Sequence, residues 1–396
     1  MEGSGDGAPA PDTTSQAWHG EGWPEYRASP PWVMAEMVAS QPVLVAPILG
    51  LPAAREIARL VEDALAAGDP IVVVGCGTSE HGAQAVAELM DAGLRLGGRR
   101  PGLVEARQAL EAALDPRPGG VCLAVSHDGG TRATLLAAEA ARAAGARVAL
   151  VTARSEGPIA AIADALLVTP AVDRSWCHTV AYASAILAGA AIGSALASLP
   201  LDPTPVAAYL QAALAGRAEM HPFAERLAAA RPIIACGSGS DRVTAREFSL
   251  KIEEGPRIPA VARDLETLLH GHLVACDGRT GLVLLAIDDR GGERRDLRLR
   301  TAAEASSAVG MAPVALLSPA SAGVIPSDAM PGGRFVLPPP PASPLPPLVP
   351  LLGGMAALQL LTLALVDVVG VNPDLIRREE APWRTAAAIA EDAGDW

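Results

Sequence analysis

The segment REFSLKIEEG carries Glu247, Lys251 and Glu254, spaced by four and then three residues. On a helix that spacing lines the three side chains up in one stripe. Two carboxylates flanking an ammonium can be a solvated surface pair; held in a pocket, a carboxylate of this kind can take and return a proton. A second stretch, SHDGGT at residues 126–131, is a loop of Gly and small polar residues between an apolar run and an Ala-rich helix. A loop at a helix N-terminus is a natural anion cradle, because N–H groups and the helix dipole both favour negative charge. Asp128 stands inside it, and a carboxylate about 4 Å from a phosphate dianion is repelled by about 1 kcal/mol per charge pair in water, and severalfold more when partly buried. Two readings stay open: a phosphate site in which His127 or Arg132 offsets Asp128, or a site where Asp128 accepts hydrogen bonds from a hydroxyl or an amine. A third loop, GCGTSE, offers Gly77, Thr78 and Ser79. His127, Asp128, Cys177 and His178 invite a metal reading, but no H-x-x-x-H or C-x-x-C spacing supports it, and neighbours on an extended chain point to opposite sides. No metal and no cofactor is expected.

The elements that must position these groups follow from hydrophobic pattern. IVVVG, LAVSH, ARVALVTA and ALLVT are short β-rich runs alternating with long Ala-rich helices, which predicts α/β architecture with a parallel sheet between helical layers. SLPLDPTPV near residue 200 reads as a linker. The pattern then restarts with a helix over VAAYLQAALAGRAEMHPFAERLAAA, a strand and loop at PIIACGSGSD and a further strand at LVLLAID, so the halves look like a tandem repeat. The expected organisation is a disordered 1–25, a first domain over 26–200, a second over 201–350, and a C-terminal helix and tail over 351–396. The repeat is chemically asymmetric: the first half has two hydroxyl-bearing loops, whereas DDRGGERRD in the second has no Ser or Thr. In open α/β sheets such a site lies at the carboxyl ends of the strands.

Composition bounds the rest. At 396 residues, half of them hydrophobic but only 3% aromatic, the chain must build its cores from Ala, Val, Leu and Ile. A formal net charge of −13 with no Lys/Arg cluster argues against nucleic acid and acidic membranes as partners. The five cysteines form no C-x-x-C pair and sit in or beside apolar runs, as buried reduced thiols do. There is no basic-then-apolar leader. LVPLLGGMAALQLLTLALVDVVG is apolar enough to span a membrane, but its Gly pair and flanks favour a buried core helix. A soluble cytoplasmic protein is expected.

Taken in order, VVGCGTSEHGAQAV, VSHDGGTRATLLAAEAARAAGARVALVT and EFSLKIEEGPRIPAVARDLETLLHGHL resemble the tandem sugar-isomerase (SIS) proteins, typified by the isomerase half of glucosamine–fructose-6-phosphate synthase. The resemblance covers roughly residues 30–380, with no glutaminase domain, and implies two tandem SIS domains, each a parallel sheet flanked by helices. It places Gly77, Thr78 and Ser79 at sugar- and phosphate-contacting positions, and Ser126, Gly129 and Thr131 at the phosphate-binding hydroxyls and turn glycine. His127 stands where the family usually has Gln, and Asp128 where it has a second Ser. In SWCHTVAY, Thr179 is retained, His178 replaces a sugar-contacting Ser and Val180 replaces a Lys.

The resemblance also assigns roles in REFSLKIEEG: Glu254 is the base that moves a proton between C1 and C2, Lys251 lies near the substrate, and Glu247 supports them. His270, sixteen residues after Glu254, matches the ring-opening His that reaches a neighbouring subunit, which implies a homodimer. Asn372, Pro373, Asp374 and Arg377 resemble the family's tail, but the tail Lys falls at Ala381. The implied activity is aldose–ketose isomerisation of a sugar phosphate or amino-sugar phosphate through an enediol, with deamination or deglycation as possible couplings. Such an enzyme belongs to amino-sugar metabolism. The alternatives are a non-catalytic binder of carbohydrate derivatives, and an isomerase acting on an unphosphorylated sugar.

Overall fold

A computed structural model describes residues 24–391. Residues 1–23, most of the segment expected to be disordered, lie outside the described residues, as do 392–396. Two five-stranded sheets dominate. The first comprises β1 (Ile71–Gly75), β2 (Val104–Gln108), β3 (Val121–Val125), β4 (Arg147–Thr152) and β5 (Ala165–Val168), in spatial order β2-β1-β3-β4-β5. The second comprises β6 (Ile233–Gly237), β7 (Ala260–Asp264), β8 (Gly281–Ala286), β9 (Val314–Leu317) and β10 (Gly333–Val336), in order β10-β9-β8-β6-β7. Read from its other edge, this is the same topology. Every pairing is parallel. The cause is in the sequence: β1, β3, β6 and β8 are buried at every residue, as strands covered on both faces must be.

Register makes the repeat quantitative. Ile71 pairs with Val121, and Ile233 with Gly281, so Val121 and Gly281 hold equivalent places. In each half the strand order reverses between the first and third strands, and in such sheets a ligand crevice lies at their carboxyl ends.

Eight helices matter here: α1 (Val33–Ser40), α2 (Ala53–Ala67), α3 (Thr78–Leu96), α4 (Arg132–Ala143), α5 (Val180–Ala197), α6 (Asp241–Glu254), α7 (Gly292–Ala308) and α8 (Leu348–Val369). By length and composition α5 and α8 could cross a membrane, yet 83% and 94% of their most apolar windows are buried inside the fold. The late apolar segment is thus a core helix, packed on both α5 and α6 and so joining the halves. Its Gln359 accepts from Gln41 Nε2 at 2.7 Å and donates to the Thr179 carbonyl at 3.3 Å, tying α8 to the start of α5. The single helix expected over residues 206–230 is instead three pieces: Pro203–Leu214, a 3₁₀ stretch Ala215–Met220, and His221–Leu227. Pro222 lacks an N–H to donate back, so the helix restarts around it.

Helices α3 and α5 cross at glycines. A Cβ on Gly193 would lie 2.4 Å from the Leu89 carbonyl oxygen, and one on Gly93 2.2 Å from that of Gly193. Gly193→Ala is therefore expected to force the helices apart and cost about 1–3 kcal/mol in urea denaturation. Gly323→Ala, where nothing lies within 4 Å, is the control and should change little.

Candidate active site

The stripe on α6 is buried. Lys251 has no exposed side-chain surface and Glu247 only 1%, which removes the reading of a solvated helix face. Lys251 Nζ lies 3.6 Å from Glu247 Oε1 and hydrogen-bonds Glu254 Oε2. Glu247 in turn reaches the first half: Thr78 Oγ1 donates to its Oε1 at 3.3 Å, and His81 Nδ1 lies 2.7 Å from its Oε2. Thr78 and His81, three residues apart, share one face of the first turn of α3. The cluster therefore exists only where the two halves meet. Burial alone would strip the Lys251 proton, but Glu254 and Glu247 outweigh it and hold its affinity above that of a free lysine. Burial pushes the Glu254 carboxyl above the usual carboxylate range, against the pull of Lys251. With 21% of its side chain exposed, Glu254 is the member of the cluster that a ligand can reach.

The β3–α4 loop faces this cluster. Gly129 has φ +70°, a left-handed turn that glycine adopts without strain. Ser126 is buried, its Oγ 3.4 Å from Thr131 Oγ1. Asp128 is exposed, and its Oδ1 accepts the Gly130 N–H at 3.2 Å. His127 Nε2 accepts the Asp173 N–H at 2.7 Å, so that nitrogen carries no proton. The His127 and His178 rings stand 5.5 Å apart, tilted by 53°. Both are pushed down to about 4, first by burial, then by each other for His127 and by Lys251 for His178. Asp128 pulls the other way on both rings. His178 is thus close enough to both Lys251 and Asp128 to feel the charge of each, which links the loop to the cluster.

Buried Asp173 shapes this corner by accepting the N–H groups of Ser175, Thr179 and Ala181, which fixes the start of α5. Thr179 is wholly buried, and its hydroxyl has no partner within the protein. Ser79 borders a narrow cavity with His127, Thr152 and Ser184. Gly77, at φ +58°, turns the chain into α3.

Other candidates lie apart. His270 follows the short helix Leu265–Leu269; 76% of its side chain is exposed, and its Nε2 is 3.2 Å from Glu266. Asp374 caps α1 by accepting the N–H groups of Val33 and Met34 at 2.9 and 2.8 Å, a structural use of the tail motif. A cavity of about 660 Å³ lies between the halves at Ser238 and Gly239. Most of its arginines are already paired with carboxylates, Arg95 with Asp91, Arg290 with Asp288 and Arg295 with Asp296. Sequence reasoning missed His81, although its three-residue spacing from Thr78 was a usable signal. It also missed Asp173 and the placement of Cys177, which is wholly buried near Lys251 with its thiol pushed well above the usual range by burial.

The histidines make a pH prediction. An exposed His ionises near 6.5, whereas these two do so near 4. Between those values the unfolded chain binds more protons than the native one, so stability rises with pH across the window and falls as acid is added. Urea denaturation of the wild type is expected to show that slope, and the His127→Gln/His178→Gln variant to lose much of it. An equal slope in both would contradict the buried neutral pair.

Comparison with known proteins agrees with this picture. Residues 65–199 match the SIS domain family model. Over 275 residues the chain is 27% identical to the glutamine–fructose-6-phosphate aminotransferase [isomerizing] of Zymomonas mobilis subsp. mobilis, a match covering 64% of this chain and 44% of the relative. The chain thus spans under half the length of that curated relative. Among solved structures, the C-terminal domain of glucosamine-fructose-6-phosphate aminotransferase from Francisella tularensis has a TM-score of 0.74 at 17% identity, covering 87% of this chain and 98% of the other. Tagatose-6-phosphate ketose/aldose isomerase from Escherichia coli gives 0.69 at 20% identity, with coverage of 89% and 97%. Glucosamine-6-phosphate deaminase from Thermotoga maritima gives 0.63 at 17% identity, with coverage of 86% and 96%. The first half thus matches the SIS domain model over residues 65–199, and the two-sheet fold of the whole is similar to that of these solved structures.

Proposed function

We propose that this chain is an aldose–ketose isomerase acting on a sugar or sugar phosphate, with Glu254 as the base. The observation that carries the reading is the buried Glu247–Lys251–Glu254 cluster, in which only the last carboxylate is reachable from the cleft. Glu254 removes the C2 proton of the open-chain aldose, and the electron pair forms the C1–C2 double bond of an enediol as O1 takes up a proton. Return of the proton from Glu254 to C1, with loss of a proton from O2, gives the ketose. A base held in a pocket with a raised proton affinity suits both directions of that transfer. The nearby ammonium of Lys251 offsets negative charge as it develops on oxygen. Ser79, Ser126, Thr131 and His178 orient the sugar, whose binding energy holds C2 against the base.

The relatives support the chemistry in kind: one is named an isomerizing aminotransferase, one a ketose/aldose isomerase and one a deaminase. The resemblance assigns opening of the ring to His270 from the second subunit of a homodimer, and the exposure of its side chain within its own protomer is compatible with that role. The reading places the enzyme in the cytoplasm. A carbohydrate-binding protein without turnover is the competing reading, favoured by Ala381 and Val180 at positions where the family carries lysines.

In D₂O, deuterium is expected to enter C2 of an aldohexose incubated with the wild type, tested with glucose, glucose 6-phosphate and 6-amino-6-deoxyglucose. Glu254→Gln should slow that exchange by about 10²–10⁴-fold in protein that is still folded at the assay temperature, although its melting temperature falls with loss of a Lys251 partner. Equal rates in variant and wild type, or no exchange on any aldose that binds, would remove the isomerase assignment.

A further inference from the structure

The β3–α4 loop, linked to the Lys251 cluster through His178, carries groups that are unusual for an anion site. Asp128 presents an exposed carboxylate there and already takes the Gly130 N–H, one of the loop amides an anion would want. Beside it stand two imidazoles, one with Nε2 committed as an acceptor to the Asp173 N–H.

Strand register supplies an independent argument. Counting from the equivalent residues Val121 and Gly281, Asp128 is seven residues on (128 − 121) and Asp288 is seven residues on (288 − 281). The two carboxylates therefore hold the same place in the two halves. Asp288 accepts the Ser240 N–H at 2.9 Å and is clamped by Arg290, through Nε at 2.7 Å and Nη2 at 2.5 Å. Arg290 lies two residues beyond Asp288; two residues beyond Asp128 the chain has Gly130. In the second half this carboxylate brings its own cation two residues downstream. In the first half that position is empty of a side chain, and the carboxylate is left exposed without a cation of its own two residues on.

We infer that Asp128 is a specificity-determining residue that receives an ammonium or hydroxyl group at the far end of the sugar, so that the preferred substrate is an unphosphorylated sugar, above all one with an amino group at C6. The inference rests on the proposed orientation, with C1 and C2 at Glu254. An ammonium there forms a charge-assisted hydrogen bond to Asp128, and His127 and His178 offer neutral rings beside it. A phosphate dianion there meets like charge instead.

The test is equilibrium binding by calorimetry of three probes that share one skeleton: glucose, glucose 6-phosphate and 6-amino-6-deoxyglucose. The wild type is expected to bind the 6-amino sugar at least about tenfold more tightly than the 6-phosphate, a factor within reach of one hydrogen bond to a charged group. Asp128→Asn, which keeps the shape and removes the charge, should lose that preference by about tenfold; Asp128→Ser should shift it toward the phosphate. Tighter binding of glucose 6-phosphate by the wild type would overturn the inference and hand the anchor to Arg132. A preference unchanged in Asp128→Asn would overturn it as well, as would no binding of any probe. Binding does not depend on turnover, so an amino-sugar preference without C2 exchange would sink the isomerase reading alone. Exchange on a preferred glucose 6-phosphate would sink this inference alone.

Discussion

A lysine ammonium with no exposed surface has to be compensated where it stands, and Lys251 is compensated by two carboxylates on its own helix. Removing one member of such a buried set typically costs about 3–5 kcal/mol, because the remaining charge is left without water or partner. That constraint reaches outward. Glu247 stays in place because Thr78 and His81 hold it from the other half of the molecule. Those two residues are placed by the turn at Gly77 and by the crossing of α3 with α5 at Gly93 and Gly193. The docking of one sheet domain on the other and the electrostatics of the cluster are thus one requirement, and Glu254 is its only outlet to the cleft.

The two halves share topology and register yet divide the work. The second half contributes the helix with the charged stripe, and its own crevice is lined by internal ion pairs such as Asp288 with Arg290. The first half keeps its loops open and replaces charge with neutral hydrogen-bonding groups, the hydroxyls of Ser126 and Thr131 and the rings of His127 and His178. A repeat of this kind needs one functional cleft, and asymmetry in loop chemistry decides which half carries it.

Much of this was legible in sequence. Strands buried on both faces appear as unbroken Val, Ile and Ala runs, and the Glu247–Lys251–Glu254 stripe follows from helical spacing alone. The break around Pro222 and Gly216 was readable and was passed over because the Ala-rich periodicity on either side is strong. Other features depend on contacts distant in sequence. Asp173 meets His127 across 46 residues, and nothing in either local segment signals that an amide would fix the state of that ring. Burial of Lys251 needs α8 and the opposite half to be in place. The equivalence of Asp128 and Asp288 appears only once strand pairings are known, because the loops around them share no other chemistry.

The central claim is that Glu254 is a carboxyl group held in a buried, lysine-paired environment with its proton affinity raised. Carbon-13 NMR titration of the glutamate carboxyl carbons, with the Glu254 resonance assigned through Glu254→Gln, reads that property directly. The account predicts a Glu254 midpoint above the ordinary glutamate value of 4.5 and a shift on addition of a sugar that binds. A midpoint at or below 4.5 that no sugar perturbs would contradict it.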